Sequence, residues 1–255
     1  MIANYHTHTW RCSHAAGSER EYVEQAIAGG MQILGFADHT PYPFPDGYVS
    51  YFRMAPRQAE DYFRTVSDLK REYAGQIDIR IGVEAEYYPR YFEDLLNFLK
   101  EFPCEYMIMG QHYIHNERDG VYSGSWRVDE PVLIQYVSQV LEGLATGKFT
   151  YLAHPDLLCW SGDPLPYRRE MTRLCRGVKE LGIPLEINLL GLHEGRHYPT
   201  ERFWQIAGEV GNTVILGCDA HEPEALNRPE TAAAGRALAQ RYGLRILDTT
   251  ELAPL

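Results

Sequence analysis

Residues 78–86 read DIRIGVEAE, and the order of residue types in this stretch decides how the chain is organised. Ile79, Ile81 and Val83 are β-branched and alternate along the run, which favours a pleated strand. Glu84 and Glu86 close the run two positions apart, so both point to one face of that strand. Immediately upstream, residues 57–75 (RQAEDYFRTVSDLKREYAG) change period. Tyr62, Val66, Leu69 and Tyr73 recur at three and four, the stripe of an amphipathic helix, and the run ends at glycine as helix C-termini tend to.

The same unit repeats in both directions. Upstream lie the strand runs IANYHTH (2–8) and QILGFADH (32–39). Downstream lie YMIMGQHYI (106–114), TYLAHPD (150–156), PLEINLLG (184–191) and TVILGCDAH (213–221), with a last candidate in LRILD (244–248). Helical runs cover 18–30, 90–102, 129–147, 167–182, 201–211 and 228–243, most of them ending at or near glycine. Such alternation predicts an α/β fold with a parallel sheet, and seven or eight units predict one barrel-like domain over residues 1–255. Stretches rich in Pro, Gly and Tyr at 40–54 and 115–130 read as long loops after the second and fourth strands.

Composition narrows the partners. The 255 residues are 45% apolar and 23% charged, with a formal net charge of −11, so a nucleic-acid partner is not expected. Five cysteines without CxxC spacing suggest a reducing compartment. There is neither a basic and apolar leader nor a run approaching the roughly 18 to 20 apolar residues of a membrane span. A cytoplasmic protein with no membrane partner is the expectation; the oligomeric state is not legible.

Polar residues fall in a pattern. Every strand candidate but the sixth ends in a side chain able to hold a metal: His6 and His8, His39, Glu84 and Glu86, His112, His154, then Asp219 and His221. In a parallel barrel the C-terminal ends of the strands converge on one mouth. A lone histidine at a strand end is more often structural, but the His6-x-His8 pair shares a strand face as joint coordination requires. So many polar groups at one end would lack partners in an apolar core. His14, in the loop before the helix N-cap Ser18, can lean over the same rim. His6, His8, His14, His39, Glu84, His112, His154, Asp219 and His221 give nine candidate ligands, enough for three divalent ions if one carboxylate bridges. Glu84 is the expected bridge and Glu86 the fallback. His115, His193 and His197 stand in loops one step outside the rim, where exposure or substrate contact is expected.

These motifs, taken in order as HTH (6–8), His14, ADH (37–39), GVE (82–84), GQH (110–112), AHPD (153–156) and GCDAH (217–221), resemble the polymerase and histidinol phosphatase (PHP) superfamily. The resemblance implies a distorted (β/α)7 barrel, similar to a TIM barrel, carrying a trinuclear metal centre that hydrolyses phosphate esters. It would give one ion to His6, His8, Glu84 and Asp219, a second to Glu84, His112 and His154, and a third to His14, His39 and His221. The loop ADHTPYPFPDG followed by FRM, and EINLLGL followed by RHYP, resemble the histidinol-phosphate phosphatase branch. Members of that branch often carry Arg directly after a GL on strand six, where this chain has His193 and places its arginine at 196.

The chemistry expected is attack of a metal-bridging hydroxide on a small phosphomonoester, L-histidinol phosphate by analogy, with zinc, iron or manganese as the ions. Glu84, Asp219 and His221 are the catalytic candidates, Asp219 or His221 protonating the leaving alkoxide. Arg53, Tyr113 and Arg196 are the substrate-binding candidates. The alternatives are a PHP-type nucleotide phosphatase or phosphodiesterase and, less favoured, an amidohydrolase-type metallohydrolase. The last often bridges its ions with a carbamylated lysine, yet none of the four lysines ends a strand candidate.

Overall fold

The first parallel sheet is built from β1 (Ala3–Asn4), β2 (Ile33–His39), β3 (Asp78–Ala85) and β4 (Tyr106–Met109), hydrogen-bonded in that order. The computed structural model describes residues 1–126 and 128–255; Arg127, within the long loop expected over 115–130, lies outside the described residues. After β4 the chain forms a small antiparallel hairpin, β5 (Tyr113–Ile114) and β6 (Val121–Tyr122). A second parallel sheet follows, from β7 (Leu185–Asn188), β8 (Thr213–Gly217) and β9 (Arg245–Ile246). Single parallel bridges lie at Met109–Leu152, Leu152–Leu185 and Thr7–Ala220. The architecture is α/β, with a parallel sheet that curls.

Helices alternate with these strands: α1 (Glu19–Ala28), α2 (Ala59–Glu72), α3 (Phe92–Leu99), α4 (Glu130–Ala145), α5 (Pro164–Glu180), α6 (Leu189–Glu194), α7 (Glu201–Val210) and α8 (Pro229–Arg241). The stripe expected on α2 and its C-cap is buried, Tyr62 and Val66 completely. Side chains of this size contribute about 1.5–3 kcal/mol each when fully removed from water. Ser18 caps α1 by accepting from the Glu21 backbone, while the Glu21 carboxylate accepts from the Ser18 N–H.

Two apolar clusters divide the work. The larger lies between helices and strands; the smaller gathers Tyr5, Ala37, Tyr106, Ile108, Tyr151 and Ile215 from successive strands. Tyr106 donates to the Tyr5 and Phe36 carbonyls, so its hydroxyl is satisfied inside this packing.

Several sequence expectations need correction. The first candidate keeps strand geometry only at Ala3–Asn4, with Thr7 joined by a single bridge. The fifth is reduced to the bridge at Leu152, because the chain turns at His154 (φ 30°) and meets Pro155. The sixth ends at Asn188, whose side chain accepts from Gly191 N and starts α6. An apolar run such as LLGL cannot by periodicity alone be told from a helix turn. His193 is therefore on α6 and not in a loop.

Candidate metal centre

Parallel pairing brings the strand ends together. In the β2–β3 register His39 is the partner of Glu84, and Glu84 is that of Ile108 on β4. His8 N donates to Ala220 O and Ala220 N to His6 O, which sets the first strand end beside Asp219. His154 and Asp219 both take left-handed backbone, φ 30° and 48°. That conformation costs an L-residue about 1–3 kcal/mol and persists only where its surroundings enforce it. Gly110 leaves room for the carboxylate of Glu84, with which a Cβ there would collide; Gly217 does the same for Glu186.

Glu84 stands at the centre. Its Oε1 lies 2.8 Å from His154 Nε2 and 3.6 Å from Nε2 of both His6 and His112. Its Oε2 lies 2.9 Å from His39 Nδ1 and 3.6 Å from His8 Nε2. Five imidazoles thus share one carboxylate, three on one oxygen and two on the other. Asp219 Oδ1 adds contacts of 3.1 Å to His8 Nε2 and 3.5 Å to His6 Nε2. Donor atoms within 4.8 Å of one another form the sets His6–His8–Asp219, His6–Glu84–His154, His8–His39–Glu84 and His14–His39–His221.

The tautomers test whether these residues fit a cation. His6 Nδ1 lies 2.7 Å from Glu186 Oε1, His8 Nδ1 3.3 Å from Asp38 Oδ1 and His112 Nδ1 2.9 Å from Glu86 Oε1. His14 Nδ1 lies 2.8 Å from Cys12 O, and His221 Nδ1 3.0 Å from Asp219 O. Each of these partners only accepts, so each Nδ1 carries the proton and donates. The neutral ring is then left with a bare lone pair on Nε2. Yet His6 and His8 set Nε2 against Nε2 at 3.1 Å, and His14 and His221 do so at 3.0 Å. Facing lone pairs repel unless a proton or a metal ion lies between them. Buried His154 Nδ1 also lacks a hydrogen-bond partner, and Glu84 Oε2 and His39 Nδ1, though 2.9 Å apart, are not aligned for a hydrogen bond. Imidazoles backed by acceptors and aimed at one another are the arrangement that metal sites use.

Charge follows the same plan. Burial pushes His8 down, but hydrogen bonds to Asp219 and Asp38 and the charges of Asp219 and Glu84 outweigh it, raising its pKa to about 9. His6 is likewise raised, against burial, by Glu186, Asp219 and Glu84. Burial would raise Glu84 and Asp219, yet the surrounding imidazoles hold both well below the usual carboxylate range. On the other side burial and the charge of His8 lower His221 to about 3 and push His39 well down.

The sequence profile of the PHP domain matches residues 4–189. The chain belongs to the PHP family. A probable histidinol-phosphatase of Deinococcus radiodurans is 30% identical over 240 residues, covering 87% of each chain. The histidinol-phosphatase of Bacillus subtilis is 26% identical over 85% of this PHP chain and 92% of its own length. The structure of histidinol phosphate phosphatase from Lactococcus lactis, complexed with zinc, L-histidinol and phosphate, superposes with a TM-score of 0.73 at 20% identity, over 98% of both chains.

Above the centre of this PHP chain opens a cavity of about 270 Å3 whose floor includes His14, His39, His112, His154, Asp219 and His221. Tyr51, Phe52, Tyr113 and Tyr122 form an aromatic wall, and Glu194, Arg196 and Tyr198 stand elsewhere on the lining. The expected substrate residues Tyr113 and Arg196 therefore face the cavity; Arg196 donates to Glu194 at 2.7 Å and to the Tyr198 hydroxyl at 2.8 Å. Arg53 does not line it. It is buried, and all three of its guanidinium nitrogens donate inside the fold, to Glu86, Glu117, Ser50 and the Thr40 carbonyl, away from the cavity and the phosphate contact expected there. His115, His193 and His197 are exposed, outside the lining, and His197 Nε2 bonds to Leu157 O.

Residues that sequence reasoning passed over complete the site. Glu186 accepts from His6, from the His154 backbone and from Asn188, and Asn188 donates onward to Asp219 Oδ2. Its signal was a Glu and an Asn inside an apolar strand run, groups that do not enter a core unpaired. Asp38 accepts from Thr9 as well as from His8. Glu86, kept as the alternative bridge, stands behind His112 instead of between the imidazoles. Cys12 lies near His8 and His221, but burial pushes its thiol far up and keeps it protonated.

Proposed function

We propose that this PHP chain is a metal-dependent phosphomonoesterase that converts L-histidinol phosphate to L-histidinol and phosphate, a reaction of histidine biosynthesis. The observation that carries the reading is one buried carboxylate, Glu84, with five imidazoles on its two oxygens, three of which, His39, His112 and His154, line an aromatic-walled cavity. The histidinol-phosphatase relatives, matched over most of their length, support the substrate. In this reading residues 1–255 are one domain, and the single bridges at Leu152 and Thr7 support closure of the sheet into a distorted (β/α)7 barrel. Five free cysteines, and the lack of a helix long and apolar enough to cross a membrane among the described residues, support a cytoplasmic setting.

Three divalent ions are assigned, one to His6, His8, Glu84 and Asp219, one to Glu84, His112 and His154, and one to His14, His39 and His221. Imidazole with carboxylate suits zinc, iron or manganese, and zinc is the ion in the Lactococcus structure. Bound there, such ions supply Lewis-acid charge toward phosphate oxygens and make water a better nucleophile near neutral pH. The chain's own groups do the rest. Glu84, with imidazoles on both oxygens, would be shared between two of the ions. Arg196, at the rim, is placed to hold a phosphate oxygen by charge-assisted hydrogen bonds. Protonation of the leaving alkoxide falls to Asp219 or His221, both of which line the cavity. His221, whose Nδ1 is turned to the Asp219 carbonyl, keeps that segment oriented. Tyr113 and its aromatic neighbours offer a flat apolar wall to the organic part of the ester.

The test is turnover by the pure protein of a panel holding histidinol phosphate, AMP and a phosphodiester. Histidinol phosphate is expected to be hydrolysed fastest. Turnover of the diester alone would favour the nucleotide-processing alternative and overturn the proposal.

A further inference from the structure

Arg53 and Glu117 come from the two long loops and are both buried, at 3% and 9% exposure, outside the cavity lining. All three nitrogens of the Arg53 guanidinium are held: Nη2 lies 3.0 Å from both oxygens of Glu86 and also meets Glu117 Oε2, Nε lies 3.1 Å from Glu117 Oε1, and Nη1 lies 2.8 Å from Thr40 O. Glu117 also accepts from the Tyr88 hydroxyl at 3.2 Å. Glu86, clamped in this way, receives His112 Nδ1 on Oε1 at 2.9 Å.

The charge balance of this group is tight. Two buried carboxylates share one guanidinium and one imidazole N–H. With the guanidinium removed, the two carboxylates would face each other without the group that clamps them and would move apart. That movement loosens the hydrogen bond that fixes the tautomer and ring angle of His112. A histidine loses its aim when the acceptor behind it goes.

We propose that Arg53 is a positioning residue: clamped by Glu117, it holds Glu86 in place to accept from His112 Nδ1, so a latch between the two long loops sets the affinity of the ion that His112 shares with Glu84. This rests on the reading of His112 as a ligand. Phe52, the next residue along, stacks on Tyr113 at 5.8 Å, so the same latch anchors the aromatic wall of the cavity.

The test follows metal release to excess chelator from the purified, metal-loaded protein. Wild type is compared with Arg53→Lys, Arg53→Met, the double variant Arg53→Met/Glu117→Gln, and His112→Asn as reference, with metal per chain counted by elemental analysis. His112→Asn is expected to lose one ion. Arg53→Met is expected to weaken retention of that same ion by about 10- to 100-fold, the usual cost of removing a group behind a metal-bound histidine. Arg53→Lys should fall between, and the double variant should recover part of the loss because the uncompensated Glu117 charge is gone. Should Arg53→Met fail to fold, Arg53→Lys answers the same question. Release at the wild-type rate from a folded Arg53→Met or Arg53→Lys, alongside rapid loss from His112→Asn, would overturn the latch alone. Full metal retention in His112→Asn would instead overturn the ligand reading beneath it.

Discussion

The inner and outer halves of the imidazole cluster are backed by different chemistry. On the inner side His6, His8 and His112 each turn Nδ1 to a buried carboxylate, Glu186, Asp38 and Glu86. On the outer side His14 and His221 turn Nδ1 to backbone carbonyls and sit in or near solvent. A carboxylate behind an imidazole raises its basicity and adds negative charge to the site, whereas a carbonyl mainly orients the ring. The inner half should therefore hold its ions tightly, and the outer half should exchange its ion readily.

The largest effect is expected where the two halves meet. Glu84→Gln removes the carboxylate that touches His6, His8 and His112 on the inner side and His39, which groups with His14 and His221, and kcat should fall by about three orders of magnitude, with loss of bound metal, because several kcal/mol of charge stabilisation depends on those ions. His6→Ala should behave similarly. Equal rates for wild type and Glu84→Gln at matched metal content would contradict the bridging role.

Glu186→Gln sharpens the contrast. It should lower metal affinity on the inner side by about 10- to 100-fold while leaving the outer ion unchanged, as read by competition with a chromogenic chelator. Uniform weakening of every ion would mean that Glu186 supports the fold and not one half.

Protons separate the halves as well. His8, raised to about 9, carries a proton at neutral pH when no ion is bound, and binding must expel it. Inner-side affinity should therefore drop about tenfold for each pH unit below that value and for each such proton. His221, lowered to about 3, is already neutral across the same range, so the outer ion should show little dependence between pH 5 and 8. Titration in buffers of different ionisation enthalpy counts the released protons; equal release from both halves would remove the distinction.

The smallest change is expected at the rim. Arg196→Ala should raise KM about tenfold, the worth of a charge-assisted hydrogen bond, with kcat close to wild type. A fall in kcat at constant KM would place Arg196 in the chemical step instead.

Strand ends were readable because histidines and carboxylates close apolar runs, where local pattern and parallel topology give the same answer. Hence His6, His8, His39, Glu84, His154 and Asp219 converge as the motif order implied. Their supports were not readable in the same way. Glu186 meets His6 from 180 residues away, and Arg53 meets Glu117 from 64 away, pairings that no local period encodes. Arg53 shows the risk: an arginine in a long loop suggests an anion from solvent, and only the fold reveals that two carboxylates already hold it. Likewise LLGL after β7 could be strand or helix until Asn188 was seen capping α6.

The most direct measurement is hydrolysis of histidinol phosphate before and after exhaustive chelation, with metal per chain counted at each stage. The account predicts that turnover vanishes as the ions leave and returns when zinc, iron or manganese is restored. Undiminished turnover by a chain stripped of all metal would contradict it.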